Sequence, residues 1–279
     1  MPAAPLRIFD SPDAIGTEVA SRILAGITAA EREGRRYLLG LPTGRTPRPV
    51  YAAMARALTA APRSLAHVTL VMMDEYLVET PSGFAYALAS GAPSCHEFTR
   101  VEIAGALNAP LTSAQRLSDE NLWFPDPREA GEYDDDITIA GGIDFFLLAS
   151  GAGDGHVAFN APGSARDSRS RIVTLGEQTR RDNLLTFPAL GTVDRVPKFG
   201  TTVGIATILA AREAVMVAWG EGKRETVQRM RAASSFDPAW PATVIHECAM
   251  GELLVDRAAA DSVATSTAST SAGRMGLSV

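Results

Sequence analysis

Asp154 and His156 stand two residues apart in the stretch LASGAGDGHVAFNAPGS, Leu148 to Ser164. An imidazole held by a neighbouring carboxylate can move protons near neutral pH, where its ordinary pKa lies. The competing role for this histidine is structural, with both ring nitrogens satisfied. Asp74 and Glu75 close the apolar run Val68 to Met73. Adjacent carboxylates held partly out of water repel, and one is raised into the range of a general base that abstracts a proton next to a carbonyl. The plainer reading is a capping aspartate beside a surface glutamate. Thr43, Gly44, Arg45 and Thr46 offer hydroxyls, backbone amides and a guanidinium to a phosphate monoester, and Lys223 in GEGK adds a point charge. Here the alternatives are an ordinary strand-to-helix turn and a solvated lysine. The G-x-x-x-x-G-K-[ST] spacing is absent, which argues against a nucleotide triphosphatase. No metal is expected, because Asp154 and His156 lack a second nearby His or Cys and Cys95, His96, His246 and Cys248 are scattered.

These residues need elements to bring them together, and most follow an apolar run. Tyr37 to Leu41, Val68 to Met73, Ile143 to Ala149 and Ala214 to Trp219 read as buried strands, each leading into one candidate loop. Leu6 to Phe9 and Glu252 to Val255 are further strand candidates. The helix expected from Pro12 to about Glu33 has Asp10 or Ser11 as its cap and Ile15, Val19, Ile23 and Ile27 on one face. Thr46 and Pro47 are expected to cap and begin a second helix with Val50, Tyr51, Met54 and Leu58 buried. Helices are also expected over Lys198 to Ala211 and Arg224 to about Ala233. Leu77 to Asp136 reads as loops and one or two helices, with periodicity only around His96 to Leu107. Alternating strands and helices imply a doubly wound, Rossmann-like α/β fold, a mainly parallel sheet with helices on both faces. Parallel strands put TGRT, MDEY, GAGDGH and GEGK on one edge.

A chain of 279 residues can bury a sizeable core, and no Pro/Ser-rich linker divides it, so a single domain over residues 1–258 is expected. Residues 259–279, rich in Ala, Ser, Thr and Gly, are expected to be a disordered tail. A net charge of −6 with both signs interspersed gives no basic stripe for nucleic acid and no polybasic patch for a membrane. Two distant cysteines, Cys95 and Cys248, no membrane-length apolar run and no signal-like start point to a cytoplasmic protein.

Five ordered motifs carry a resemblance that runs from about Asp10 to Ala260: LGLPTGRTP (Leu39 to Pro47), MDEY (Met73 to Tyr76), DGHVAFN (Asp154 to Asn160), VPKFGTTVG (Val196 to Gly204) and GEGK (Gly220 to Lys223). In these the chain resembles the glucosamine-6-phosphate deaminase (isomerase) and 6-phosphogluconolactonase family. The resemblance implies a small phosphorylated sugar as substrate, no organic or metal cofactor, and possible homo-oligomers. HVAFN and VPKFGTTVG look like the deaminase branch. By position Asp74 would move the proton between C2 and C1, His156 oriented by Asp154 would open the pyranose ring, and Thr43, Gly44, Thr46 and Lys223 would hold the phosphate. Glu75 and Arg45 are grouped with the substrate-binding residues. The chain departs from the deaminase pattern at Ala161, where a glutamate completes the relay, and at Leu185, where an arginine binds phosphate; the glycine loop is also one residue shorter. Arg45, where the pattern has a small residue, is expected to supply the missing charge. The alternatives are a lactonase, with His156 activating water, and a catalytically weakened sugar-phosphate sensor.

Overall fold

The computed structural model describes residues 3–87 and 94–260. In chain order the strands are β1 (Leu6–Phe9), β2 (Tyr37–Leu41), β3 (Val68–Met72), β4 (Asp74–Thr80), β5 (Gly83–Tyr86), β6 (Leu122–Trp123), β7 (Phe145–Ala149), β8 (Arg171–Thr174), β9 (Phe199–Thr202), β10 (Ala214–Ala218) and β11 (Gly251–Asp256). Seven of them form one sheet in the order β1-β11-β10-β7-β2-β3-β6, every pair parallel. Its central strands are buried on both faces, which explains the unbroken apolar runs YLLGL, VTLVM and AVMVA.

Helix α1 (Pro12–Arg32) begins where the side chain of Ser11 accepts the Ala14 amide, and buries Ile15, Val19, Ile23 and Ile27. Burying four such side chains contributes about 1.5–3 kcal/mol each before chain entropy is subtracted. Together with α2 (Arg48–Ala60), α1 covers one face of the sheet. The other face is packed by α5 (Glu132–Ile139), α7 (Ile205–Leu209) and α8 (Arg224–Ala232). The doubly wound expectation therefore holds. Between α2 and α5 the chain forms α3 (Cys95–Phe98), a π turn over Thr99–Gly105 and α4 (Ala106–Asn108), in agreement with the periodicity around His96 to Leu107.

Three details differ from expectation. A second, antiparallel sheet of order β5-β4-β9-β8 stands beside the main one. β5 and the second half of β4 lie in the segment from Leu77 read as loops and helices, and β9 lies at the start of the segment read as helical, where only Ile205–Leu209 is helix. β5 is short and partly exposed and β9 is the short, Gly- and Thr-rich run FGTT, so neither has a long apolar run to announce it. The cap of α2 is Pro47 rather than Thr46, and no side chain bonds the first turn. At the other end, α9 (Arg257–Ala260) buries Ala259 and Ala260 against the body, beyond the expected break at residue 258. The rest of the expected tail lies outside the described residues.

The strand order positions the site. Strand β2 runs on to β3 on one side and neighbours β7 on the other, and β7 leads outward to β10, so the order reverses between β2 and β7. Parallel α/β sheets bind ligands in the crevice at such a reversal, outside the carboxyl ends of the strands. Here the consecutive strands β10, β7, β2 and β3 end in GEGK, GAGDGH, TGRT and MDEY. At about 4.8 Å per strand step the outer two are about 15 Å apart, close enough for side chains from all four loops to line one crevice.

Candidate active site

A cavity of about 400 Å³ opens at this reversal, and Thr43, Arg45, Thr46, Asp74, His156 and Lys223 all contribute to its wall. Residues far apart in the chain are thus brought to one pocket.

Asp74 is the first residue of β4, paired with Thr202 of β9, and the amide of Val203 donates to the Met73 carbonyl at 2.8 Å. The small sheet therefore turns the chain out of β3 and holds Asp74 at the rim. Only 6% of the residue is exposed. Burial pushes its carboxyl up to about 7, aided by the Glu75 charge and opposed by the thiol of Cys95 and by His156. Charge on a carboxylate out of water is costly, so its proton is held up to neutral pH. Among the described residues the only hydrogen bond this carboxyl receives comes from Cys95 Sγ, at 3.3 Å.

Glu75 does not share this pocket. The β-strand alternation sends its fully buried side chain to the opposite face, where it accepts from the amides of Cys95 at 2.9 Å and His96 at 2.8 Å and pairs with the His96 ring. Its oxygens are used to seat α3 beneath the strand. The expected substrate contact of Glu75 is replaced by this anchoring bond set.

His156 follows β7 in a loop tied at both ends. Its Nδ1 lies 2.7 Å from Oδ1 of Asp154, and the same oxygen accepts the His156 amide at 3.1 Å. With Nδ1 so engaged, Nε2 is left for the cavity. For Asp154, burial alone would raise the carboxyl, but the bond to His156 and the histidine's charge outweigh it and hold it below the usual range. Asp154 is absent from the cavity wall and acts from behind the ring. Two glycines make the loop possible. A Cβ on Gly151 would stand 2.2 Å from Nδ1 of His156, and Gly155 has φ +66° with the Trp240 ring 2.4 Å from where its Cβ would be. Ala158, also in the wall, takes φ +50°, a strained conformation for a residue with a Cβ.

Asn160 braces this loop against the small sheet: its Nδ2 donates to the Val203 carbonyl at 2.8 Å, and Thr202 Oγ1 accepts the Phe159 amide at 3.1 Å. The motifs FGTTVG and VAFN, which hold no acid or base, thus lock the loops that do.

The cationic end lies across β2 and β10. Lys223 donates to the Ser150 carbonyl, and burial foremost, with Arg45 adding to it, lowers its pKa against the pull of Asp182 and Asp154. Thr46 is tied by its carbonyl to Trp219 Nε1 at 2.9 Å. Gly44 shapes the turn with φ +98° and is not itself in the cavity wall. Helix α6 (Glu177–Thr186) supplies wall residues that strand-end reasoning missed, Asp182, Asn183 and Thr186, together with Leu185. It is polar on most of its surface, so nothing but the Thr179–Arg180 pair marks it in the sequence. Leu185, 59% exposed, brings no charge, and Asp182 brings a negative one. Among the described residues no group of three or more His, Cys, Asp or Glu is arranged to hold a metal ion.

Fold and cavity together define a doubly wound α/β protein with a buried carboxyl, a carboxylate-backed imidazole and two cationic side chains around one cleft at the switch point. The chain belongs to the family of glucosamine-6-phosphate isomerases/6-phosphogluconolactonase, whose model matches residues 10–255. It is 35% identical over 254 residues to a glucosamine-6-phosphate deaminase of Beutenbergia cavernae, with 89% of each chain covered. A relative of the same description from Rhodopirellula baltica is 34% identical over 251 residues, covering 87% of this chain and 91% of its own. Among solved structures, a monomeric glucosamine-6-phosphate deaminase superposes with a TM-score of 0.76 at 27% identity, over 92% of this chain and 98% of that one. The 6-phosphogluconolactonase of Leishmania guyanensis, at 19% identity and a TM-score of 0.65 over 94% and 99% of the two chains, shares the fold.

Proposed function

We propose that the chain converts an amino-sugar 6-phosphate, glucosamine 6-phosphate foremost, to the ketose 6-phosphate with release of ammonia. The observation that carries this reading is a single cavity holding a buried carboxyl raised to about 7, an imidazole backed by a carboxylate, and two cations. The activity of its relatives supplies the choice of substrate.

The phosphate is held by Thr43, Thr46, Lys223 and Arg45. His156 Nε2 takes the proton of the C1 hydroxyl and returns one to the ring oxygen, so the ring C–O bond breaks and the aldehyde forms. Asp74 as carboxylate then removes the C2 proton, which lies next to that carbonyl, while the substrate's ammonium group gives a proton to O1, so a neutral enolamine forms; the protonated Asp74 delivers its proton to C1. The enolamine becomes a C2 iminium, and water adds to C2 as ammonia departs. One water is consumed, and the electron pairs stay within the sugar, so no redox partner is needed.

Two family departures fit this scheme. With Ala161 in the relay position, Asp154 is, among the described residues, the one carboxylate on His156, and Thr179 Oγ1 is a further hydrogen-bond partner, 3.4 Å from Nδ1. With Leu185 in the wall, Arg45 provides the second positive charge. The test is incubation with glucosamine 6-phosphate, its N-acetyl form, galactosamine 6-phosphate and 6-phosphogluconolactone, following ammonia, ketose and acid. Ammonia and ketose in equal amounts support the reading. Acid from the lactone alone would make the chain a lactonase, and binding without turnover would make it a sensor.

A further inference from the structure

The most unusual partner of the proposed base is a thiol. Cys95 is fully buried at the start of α3, and its Sγ lies 3.3 Å from Asp74 Oδ1 and 3.4 Å from Thr43 Oγ1. A thiol has one proton to give. Since the carboxylate can only accept, that proton points to Asp74, and the Thr43 hydroxyl donates to the sulfur. The result is a chain, Thr43 O–H to Cys95 S–H to Asp74, that joins the phosphate loop to the base. Its anchor is independent of the pocket: Glu75 accepts the Cys95 amide at 2.9 Å, fixing the start of α3 directly beneath the strand that bears Asp74.

We propose that Cys95 is a positioning residue for the reaction: its thiol holds the Asp74 carboxylate by one weak hydrogen bond, fixing one oxygen while leaving the group basic enough to take the C2 proton. This rests on the proposed function, because it assumes Asp74 is the base. The physical logic is a compromise. A carboxylate buried with no donor would be too reluctant to ionise, whereas a hydroxyl or amide, a stronger donor than a thiol, would stabilise the charge further and weaken the base. A thiol is the weakest donor among side chains of this size. Burial, the Glu75 charge and the Asp74 charge all push the Cys95 thiol far above its usual range, so the sulfur keeps its proton at every pH of interest. It therefore acts as a donor and not as a nucleophile.

The other titratable groups around Asp74 are shared by any variant at residue 95. Glu75 is next to it on β4, His156 faces it from the loop after β7, Tyr51 stands on α2 with its hydroxyl on the Pro42 carbonyl, and Tyr76 and Tyr133 are buried nearby. Arg45 and Lys223 lie in the same cavity wall.

Cys95→Ser and Cys95→Ala separate positioning from packing. The serine variant should move the acid limb of kcat/KM to lower pH and the alanine variant should move it to higher pH, each by about half a unit. At pH 8 serine should lower kcat more than it raises KM. A role in packing alone would lower thermal stability and leave the limb in place. Unmoved limbs in both variants, or shifts in the same direction, would overturn the proposal. Titration of the Asp74 carboxyl by ¹³C NMR, with Asp74→Asn to assign it, gives the same answer without turnover. A chain that turns over no amino-sugar phosphate would thus defeat the functional reading while the NMR shift still decides the role of Cys95.

Discussion

Asp74 on β4 sits directly opposite Thr202 on β9, and Thr202 in turn accepts the amide of Phe159, three residues beyond His156. Asp74 and the His156 imidazole, which follow different strands of the main sheet, are therefore fixed relative to one another through Thr202 of the small sheet and Phe159. Replacing Thr202 by Val keeps the shape and removes the acceptor. The Phe159 amide is then buried without a partner, at a cost of about 1–3 kcal/mol. We expect a lowered Tm and a fall in kcat larger than the change in KM. Equal kcat for the two proteins would show that this bridge does not set the geometry.

The small sheet is also where sequence reasoning fell short, for a physical reason. Long apolar runs mark strands buried on both faces, and every strand of the main sheet that bears a candidate loop was legible for that reason. Strands β5, β8 and β9 are only four residues long, β5 and β8 have no buried position, β4 is buried only over its first four residues, and only two residues separate β9 from α7. Asp74 and His156, which line the cavity, were legible at the strand ends from their types. The inward or outward direction of neighbours was not, and so Asp74 and Glu75, adjacent in sequence, were both assigned to the pocket although only Asp74 lines it. Cys95 was invisible because its role comes from a contact 21 residues away.

The raised carboxyl of Asp74 has consequences of opposite sign for activity and stability. A base must be unprotonated, so kcat/KM should rise with pH through about 7. Folding runs the other way. The carboxyl binds a proton in the folded state over the range from about 4 to 7, where the unfolded chain has lost it, so its contribution to stability is present at low pH and is lost as pH rises through about 7. Asp74→Asn should therefore be more stable than the parent at pH 8, by roughly a few kcal/mol, and similar to it near pH 4. Denaturant melts at the two pH values measure this; a variant less stable at pH 8 would contradict the buried-charge account.

Gly151 lies against the imidazole so closely that any Cβ must displace it. Gly151→Ala should push His156 off Asp154 and lower kcat by about 10²–10⁴, the usual contribution of an acid–base group. Circular dichroism should remain that of a folded protein. Retention of full activity would mean that the Asp154–His156 pair is not needed in this arrangement.

Arg45 is expected to replace the charge lost with Leu185. Arg45→Ala should raise KM for the phosphorylated sugar about tenfold, in line with one hydrogen bond to a charged group, while changing kcat little. Because Arg45 is exposed, added salt should shrink the difference between the two proteins. An unchanged KM at low salt would remove Arg45 from the phosphate site.

The central claim is that the Asp74 carboxylate carries the proton from C2 to C1. The most direct test is turnover of glucosamine 6-phosphate deuterated at C2 by the parent and by Asp74→Asn. The parent should turn over the deuterated sugar more slowly, some of the deuterium should be recovered at C1 of the ketose, and the variant should be slower by about 10²–10⁴. Undiminished ketose and ammonia formation by Asp74→Asn, with the deuterium fate unchanged, would contradict that claim.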